Sequence, residues 1–306
     1  MRSAVNPFHL STEARKVTMD SIRWKHLAER VNGTRLHYVT GGDGPPLYLL
    51  HGYPQTCHLW RKVAPLLTAR FCLVMPDLRG YGDSDKPLEG YDKRTMAQDV
   101  RELARRLGHG RFGLVGHDRG GRVAHRYALD HGETLSGLCL LDIVPTKTFF
   151  DRVTRSTALG TWHWFFLPQA DLAETLIAAA PEAVLRHFLR AWAGNPAAIE
   201  ESAVQEYLRA FRLPGTIRAT CADYRAGAGV DLEHDAADAE RRIEAPLLAL
   251  WGGLGRLDTT FDVLACWREK ALQVEGHAIA SSGHFIPEEA PEELAAELLR
   301  FFEGKD

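Results

Sequence analysis

The chain has no pair of cysteines at C-x-x-C spacing, and its five cysteines, Cys57, Cys72, Cys139, Cys221 and Cys266, are an odd number. Several sit inside apolar runs, where a thiol behaves as a small core residue, so a reduced, cytoplasmic protein without a disulfide framework is expected. Positive charge is not in excess either. Lys and Arg number 37 against 40 Asp and Glu, a formal net charge of −3, which leaves no basic field to attract nucleic acid or an anionic membrane. No apolar run approaches the about 20 residues of a membrane span, and the opening MRSAVNPFHLSTEARKV holds no stretch apolar enough for a signal peptide. Repeats and low-complexity tracts are missing as well. A soluble protein with a small-molecule partner follows, with no nucleic-acid or membrane partner expected. The 306 residues, 45% of them hydrophobic, can bury a core without help from a metal.

Short apolar runs alternate with longer segments of helical period, which predicts an α/β fold, a mostly parallel sheet flanked by helices. Strands are predicted over 35–40, 47–51, 71–75, 111–116, 137–142, 247–251 and 274–280, and helices over 93–107, 120–131 and 288–302. The first two strands are expected to pair antiparallel, because the Gly- and Pro-rich stretch 41–46 is too short for a helical crossover. Beyond Pro145 the strand rhythm stops until about Arg242, and the segment turns helical and aromatic. The organisation expected is a core domain made of 1–145 and 243–306, with 146–242 inserted as a helical cap, or lid.

Phe112-Gly113-Leu114-Val115-Gly116-His117-Asp118-Arg119-Gly120-Gly121-Arg122 ends a strand and opens a helix. Flanking glycines let strand and helix approach while the middle residue presents its side chain from a strained turn, the nucleophile elbow. That middle residue is Asp118, where hydrolases of esters and amides carry Ser. A carboxylate ionised at pH 7 needs no base to attack saturated carbon and form an alkyl ester, chemistry that suits dehalogenation and epoxide opening. A helix N-cap Asp is the bland alternative, but a cap does not explain the motifs that follow.

His284 lies after the last predicted strand and before the final helix, the position for a base that deprotonates the water attacking the ester. Two acids compete to orient it. Asp142 closes the apolar strand Leu138-Cys139-Leu140-Leu141, where an ionised group demands a buried partner; Asp258 stands in a Gly-rich loop, where solvation suffices. Asp142 is favoured. His51-Gly52-Tyr53-Pro54 has the form of an oxyanion loop, with the backbone N–H groups of Tyr53 and Arg119 as the donors.

Through HGYPQT, DLRGYGDS, GHDRGGR, LLDIVPT, WHWFF, CADYRAGA, DLEHD and SGHFIPEEAP, nearly the whole chain after residue 20 resembles the fluoroacetate (haloacetate) dehalogenases of the α/β-hydrolase superfamily. The resemblance implies an α/β-hydrolase fold and the hydrolysis of a small haloacid such as fluoroacetate to glycolate and halide, with no cofactor or metal. It implies Asp118 as nucleophile, His284 as base and Asp142 as the supporting acid. Arg119 and Arg122 would bind the substrate carboxylate, and His163, Trp164 and Tyr224 the departing halide; a homodimer is also implied. Residue types agree with these roles. The two arginines are three apart at a helix N-terminus, and imidazole, indole and phenol can each donate a hydrogen bond to a halide. The stretch 253–266 departs from the family pattern, which keeps Asp258 in competition.

An epoxide hydrolase is the nearest competitor. It would need one or two cap tyrosines to protonate the epoxide oxygen and would have little use for two arginines beside the nucleophile. A non-catalytic receptor on the same scaffold would be expected to have lost a triad member, and all three positions here hold competent residues.

Overall fold

The computed structural model describes residues 24–305; the reading of the opening segment as free of a signal peptide falls outside the described residues. Eight strands, β1 (Lys25–Val31), β2 (Thr34–Gly41), β3 (Pro46–Leu50), β4 (Cys72–Pro76), β5 (Phe112–His117), β6 (Leu135–Leu141), β7 (Leu247–Gly252) and β8 (Val274–Ile279), form one sheet in the order β1-β2-β4-β3-β5-β6-β7-β8. From β4 to β8 along that order every pairing is parallel, while β1 and β2 run antiparallel to their neighbours. Side chains alternate between two buried faces: Tyr48 and Leu50 of β3 join one apolar cluster, Leu47 and Leu49 the other. Burial on both sides is why these strands read as continuous apolar runs.

All seven predicted strands are present to within two residues. β1 has no counterpart among them, since its side chains are nearly all exposed and show no alternation. A local signal for it exists in Asn32-Gly33, whose φ values of 44° and 76° fit the two-residue turn that joins β1 to β2. The expected antiparallel pairing of the first two predicted strands, β2 and β3, is not formed: β4 lies between them. The connection crosses against the backbone that leads into β4, so tightly that a Cβ on Gly42 would lie 2.3 Å from Phe71 O. β3 is thereby carried past β4 to its parallel place beside β5.

Helices Lys93–Arg106 and Arg119–His131 stand where periodicity puts them. The final predicted helix is two pieces, Ile286–Glu289 and Pro291–Phe302, broken at Pro291, which has no N–H to continue the first ladder. Between β6 and β7 the chain is helical from Thr146 to Ala237. This insertion lies over the carboxyl ends of the strands and is bonded to the core there. Tyr207 O–H donates to buried Glu288 at 2.6 Å, and Arg61 bridges Glu288 at 2.7 Å and Glu200 at 3.0 Å. Among the described residues no helix is long and apolar enough to cross a membrane.

Candidate active site

β5 passes into the helix Arg119–His131 through Asp118 alone, whose φ of 47° and ψ of −114° lie where L-residues rarely sit. Glycine is required around it: a Cβ on Gly116 would lie 2.5 Å from Gly120 O, and one on Gly120 2.4 Å from His51 O. Any larger residue would wedge strand, helix and oxyanion loop apart. Gly52 is pressed against Asp118, 2.5 Å from its notional Cβ to Asp118 Cβ, and this contact brings the next amide into range. Tyr53 N–H donates to Asp118 Oδ1 at 2.9 Å. The Arg119 amide, the other expected donor, makes no hydrogen bond to that carboxylate among the described residues. Oδ2 likewise accepts no hydrogen bond there, which leaves it the oxygen available for attack. Burial alone would raise the Asp118 pKa, but His284, His117, Arg119 and Arg122 outweigh it and hold the group below the ordinary carboxylate range.

His284 Nδ1 lies 2.6 Å from Asp142 Oδ2, and Asp142 Oδ1 accepts the Gly252 N–H at 3.0 Å. Asp142, with φ 53°, turns back over the sheet directly after β6. Asp258 is elsewhere, in the short helix Leu257–Thr260, where it accepts from the Trp251 indole at 3.4 Å. The opposite imidazole nitrogen, His284 Nε2, is buried with no partner. Burial lowers the His284 pKa, yet its hydrogen bond to Asp142 and the charges of Asp142 and Asp118 prevail and raise it. Asp142→Asn is therefore expected to cut turnover about 1000-fold or more, because the amide favours the wrong imidazole tautomer, whereas Asp258→Asn should be mild. Steady-state rates of the two variants check this; the reverse ranking would contradict it.

The two arginines are placed differently. Arg119 is fully buried and gives Nε and Nη2 to Asp223, at 3.0 Å to Oδ2 and 2.7 Å to Oδ1, leaving only Nη1 without a partner. Asp223 in turn accepts from Tyr81 O–H at 2.6 Å and pairs with Lys93, so the Arg119 charge is answered inside the protein. Arg122 has no such answer. Its Nη1 donates to Val144 O at 3.1 Å and Thr146 Oγ1 at 3.0 Å, its Nε is buried and unpartnered, and no carboxylate among the described residues hydrogen-bonds to it. Burial first, and Arg119 second, push its pKa down to about 10, so it is still cationic at neutral pH.

His163, Trp164 and Tyr224 come together above these guanidinium groups. Tyr224 is 5.4 Å from Trp164 and 5.9 Å from His163 between ring centroids. Arg119 lies over the Tyr224 ring at 4.2 Å and Arg122 over Trp164 at 4.3 Å, cation–π contacts that fix both planes. Tyr224 O–H and His163 Nδ1 are buried without partners, and the Trp164 ring packs against Phe149 at 4.9 Å between centroids. Burial pushes the His163 pKa down to about 3 and the Tyr224 pKa well up, so both are neutral. Trp192 closes the circle, 4.5 Å from His163 and 5.4 Å from His284.

The arrangement thus surrounds the Asp118 carboxylate with buried polar groups that lack partners, a chemistry suited to an anionic substrate and an anionic leaving group. Two clusters of described residues have donor sets that could hold a metal, His37 with Cys57 and Asp77, and Asp92 with Asp231 and His234; neither contains Asp118, His284 or Asp142. Sequence reasoning missed Asp223, although it directly precedes Tyr224 in a motif already singled out. It also missed Trp192.

The alpha/beta hydrolase fold profile matches residues 45–291. The chain is 40% identical to a fluoroacetate dehalogenase from Burkholderia sp over 278 residues, 89% of this chain and 91% of the relative. It is 42% identical to a soluble epoxide hydrolase from Corynebacterium sp. (strain C12) over 281 residues, 90% of this chain and 96% of the relative. A solved structure from Nostoc sp PCC 7120, assigned to the alpha/beta hydrolases, superposes with a TM-score of 0.90 at 46% identity, covering 92% of this chain and 99% of the other.

Proposed function

The chain belongs to the α/β-hydrolase superfamily, and from that premise we propose that it hydrolyses the carbon–halogen bond of small haloacids, haloacetates such as fluoroacetate above all. The observation that carries this reading is Arg122, a buried guanidinium beside the nucleophile with an unpartnered Nε and no carboxylate bonded to it. A buried unpaired charge is costly, and a substrate carboxylate would answer it through a planar two-point contact. The unpartnered Nη1 corner of Arg119 adds a further donor.

In the proposed reaction Asp118 Oδ2 attacks the halogen-bearing carbon from the side opposite the halide. The carbon–halogen bond breaks as the ester bond forms, and the halide leaves towards His163, Trp164 and Tyr224. His284 Nε2 then takes a proton from water, which attacks Asp118 Cγ, while Tyr53 N–H holds the oxygen Oδ1 on which charge collects. Collapse of that adduct breaks the bond from Cγ to the ester oxygen, and the proton held by His284 passes to the departing alkoxide to give the hydroxy acid. The second proton of the water is lost to solvent as the carboxylate is restored. Esterification also removes the negative charge of Asp118 that helps raise the His284 pKa. The imidazole becomes the more readily neutral base in the step that needs one.

An epoxide hydrolase uses the same nucleophile and base. The buried Tyr224 O–H, held protonated by its raised pKa, is the feature that favours it, together with the Corynebacterium relative. An epoxide is neutral, however, and leaves Arg122 unanswered.

The halide donors should matter more as the leaving atom becomes smaller and more basic. Trp164→Phe removes one N–H and keeps most of the ring; a lost donor of this kind costs about 100- to 1000-fold where charge is fully developed. Defluorination is expected to fall by nearly that range, dechlorination by less and debromination least, measured as kcat/KM with direct halide detection for wild type and variant. Wild-type protein that releases no halide from any of the three haloacetates would overturn the proposed function; an equal proportional loss on all three would remove Trp164 from the halide site.

A further inference from the structure

Glu289, which ends the helix Ile286–Glu289, accepts three backbone N–H groups. Its Oε1 takes Phe285 N–H at 3.0 Å, and its Oε2 takes Gly283 N–H at 3.0 Å and Asn195 N–H at 2.8 Å. The first joins the last residue of that short helix to its N-cap residue, Phe285. The other two are not part of any cap. Gly283 and Phe285 flank His284 on either side, and Asn195 follows the cap helix Pro181–Trp192, whose last residue faces the His284 ring. A second bond joins the same two segments, His284 N–H to Trp192 O at 3.0 Å. They pass so closely that a Cβ on Gly283 would lie 2.1 Å from Gly194 N. One carboxylate therefore holds the amides of the two residues that flank His284 and, through Asn195, the chain that follows the cap helix.

We propose that Glu289 is a positioning residue for the hydrolytic half of the reaction, latching the His284 loop to the cap so that the imidazole meets the Asp118 ester. The inference rests on the two-step ester mechanism above, though not on the choice of haloacid over epoxide. Alkylation of Asp118 needs no base, so loosening the latch should leave that step fast. Hydrolysis of the ester depends on the imidazole position and should slow, since a misplacement of about 1 Å costs on the order of 100-fold.

Glu289→Gln tests this, because the amide offers one acceptor oxygen and would turn its NH2 against one set of the N–H donors. Mixed rapidly with chloroacetate, it is expected to release a burst of chloride near one equivalent per site, with steady-state turnover lowered about 10- to 100-fold and carboxymethylated Asp118 accumulating. Gly283→Ala leaves Glu289 untouched and forces the two segments apart, and should give the same burst with slow turnover, so a poorly folding glutamine variant does not decide the matter. Burst and steady-state rates falling in equal proportion in both variants, or both staying at wild-type values, would overturn the latch. His284→Asn run in parallel separates the two levels: no ester in that variant defeats the mechanism itself, whereas ester in His284→Asn but none accumulating in the latch variants defeats only the role of Glu289.

Discussion

Mixed with chloroacetate, the His284→Asn variant is expected to release about one equivalent of chloride per site and then stop, with one carboxymethyl group left on Asp118. Alkylation is expected to draw on Asp118 Oδ2, which needs no base, and with His284 replaced the charges of His117, Arg119 and Arg122 still oppose the effect of burial on the carboxyl. Hydrolysis draws on His284, whose Nε2 has no partner while Nδ1 is tied to Asp142 at 2.6 Å. Asparagine fills much of the same space and cannot accept the proton of the attacking water. Turnover should fall on the order of 10,000-fold or more, the scale seen when a triad histidine is removed. Intact-protein mass and chloride release settle it together. An unmodified protein with turnover close to wild type would contradict the two-step chemistry.

Arg122→Lys is expected to lower kcat/KM for chloroacetate about 10- to 100-fold, the range of a hydrogen bond to a charged group lost from a buried site. The variant keeps a positive charge and loses the planar fork. Arg122 is the informative choice because most of the Arg119 fork is already taken by Asp223, at 3.0 and 2.7 Å. Replacing Arg119 would strand a buried carboxylate and confuse recognition with stability. Chloroacetamide, which has no carboxylate, should be a poor substrate for wild type and should lose little more in the variant. Equal wild-type activity on chloroacetate and chloroacetamide would contradict the arginine contact.

Much of the site was legible because its residues are required by local geometry. Asp118 stands between glycines whose replacement would drive atoms to within 2.5 Å of the neighbouring chain, and glycines so placed after an apolar strand fit little besides a nucleophile turn. Asp142 closes a strand that is buried throughout, so its charge had to find a partner. Asp258, exposed in the short helix Leu257–Thr260, did not. What the sequence withheld was pairing over long distances. It presents Arg119 and Arg122 as equivalents, three residues apart on one helix, and only the fold reveals that Asp223, 104 positions further on, occupies one fork and leaves the other open. The same limit applies to the sheet. Each strand core could be read from its own apolar run, but nothing local says that β4 intervenes between β2 and β3, and β1, exposed along nearly its whole length, had only its Asn-Gly turn to announce it.

The chemistry of hydrolysis at saturated carbon is common to dehalogenases and epoxide hydrolases, and in the proposed reading the residue that separates them is Arg122. The most direct measurement is therefore a comparison on one preparation of purified wild-type protein, without added metal: halide release from fluoroacetate and chloroacetate against diol formation from styrene oxide. Halide release from both acids, with little or no diol, is the expected result. Rapid diol formation with no halide released from either acid would contradict the assignment and leave the two arginines without a role in substrate recognition.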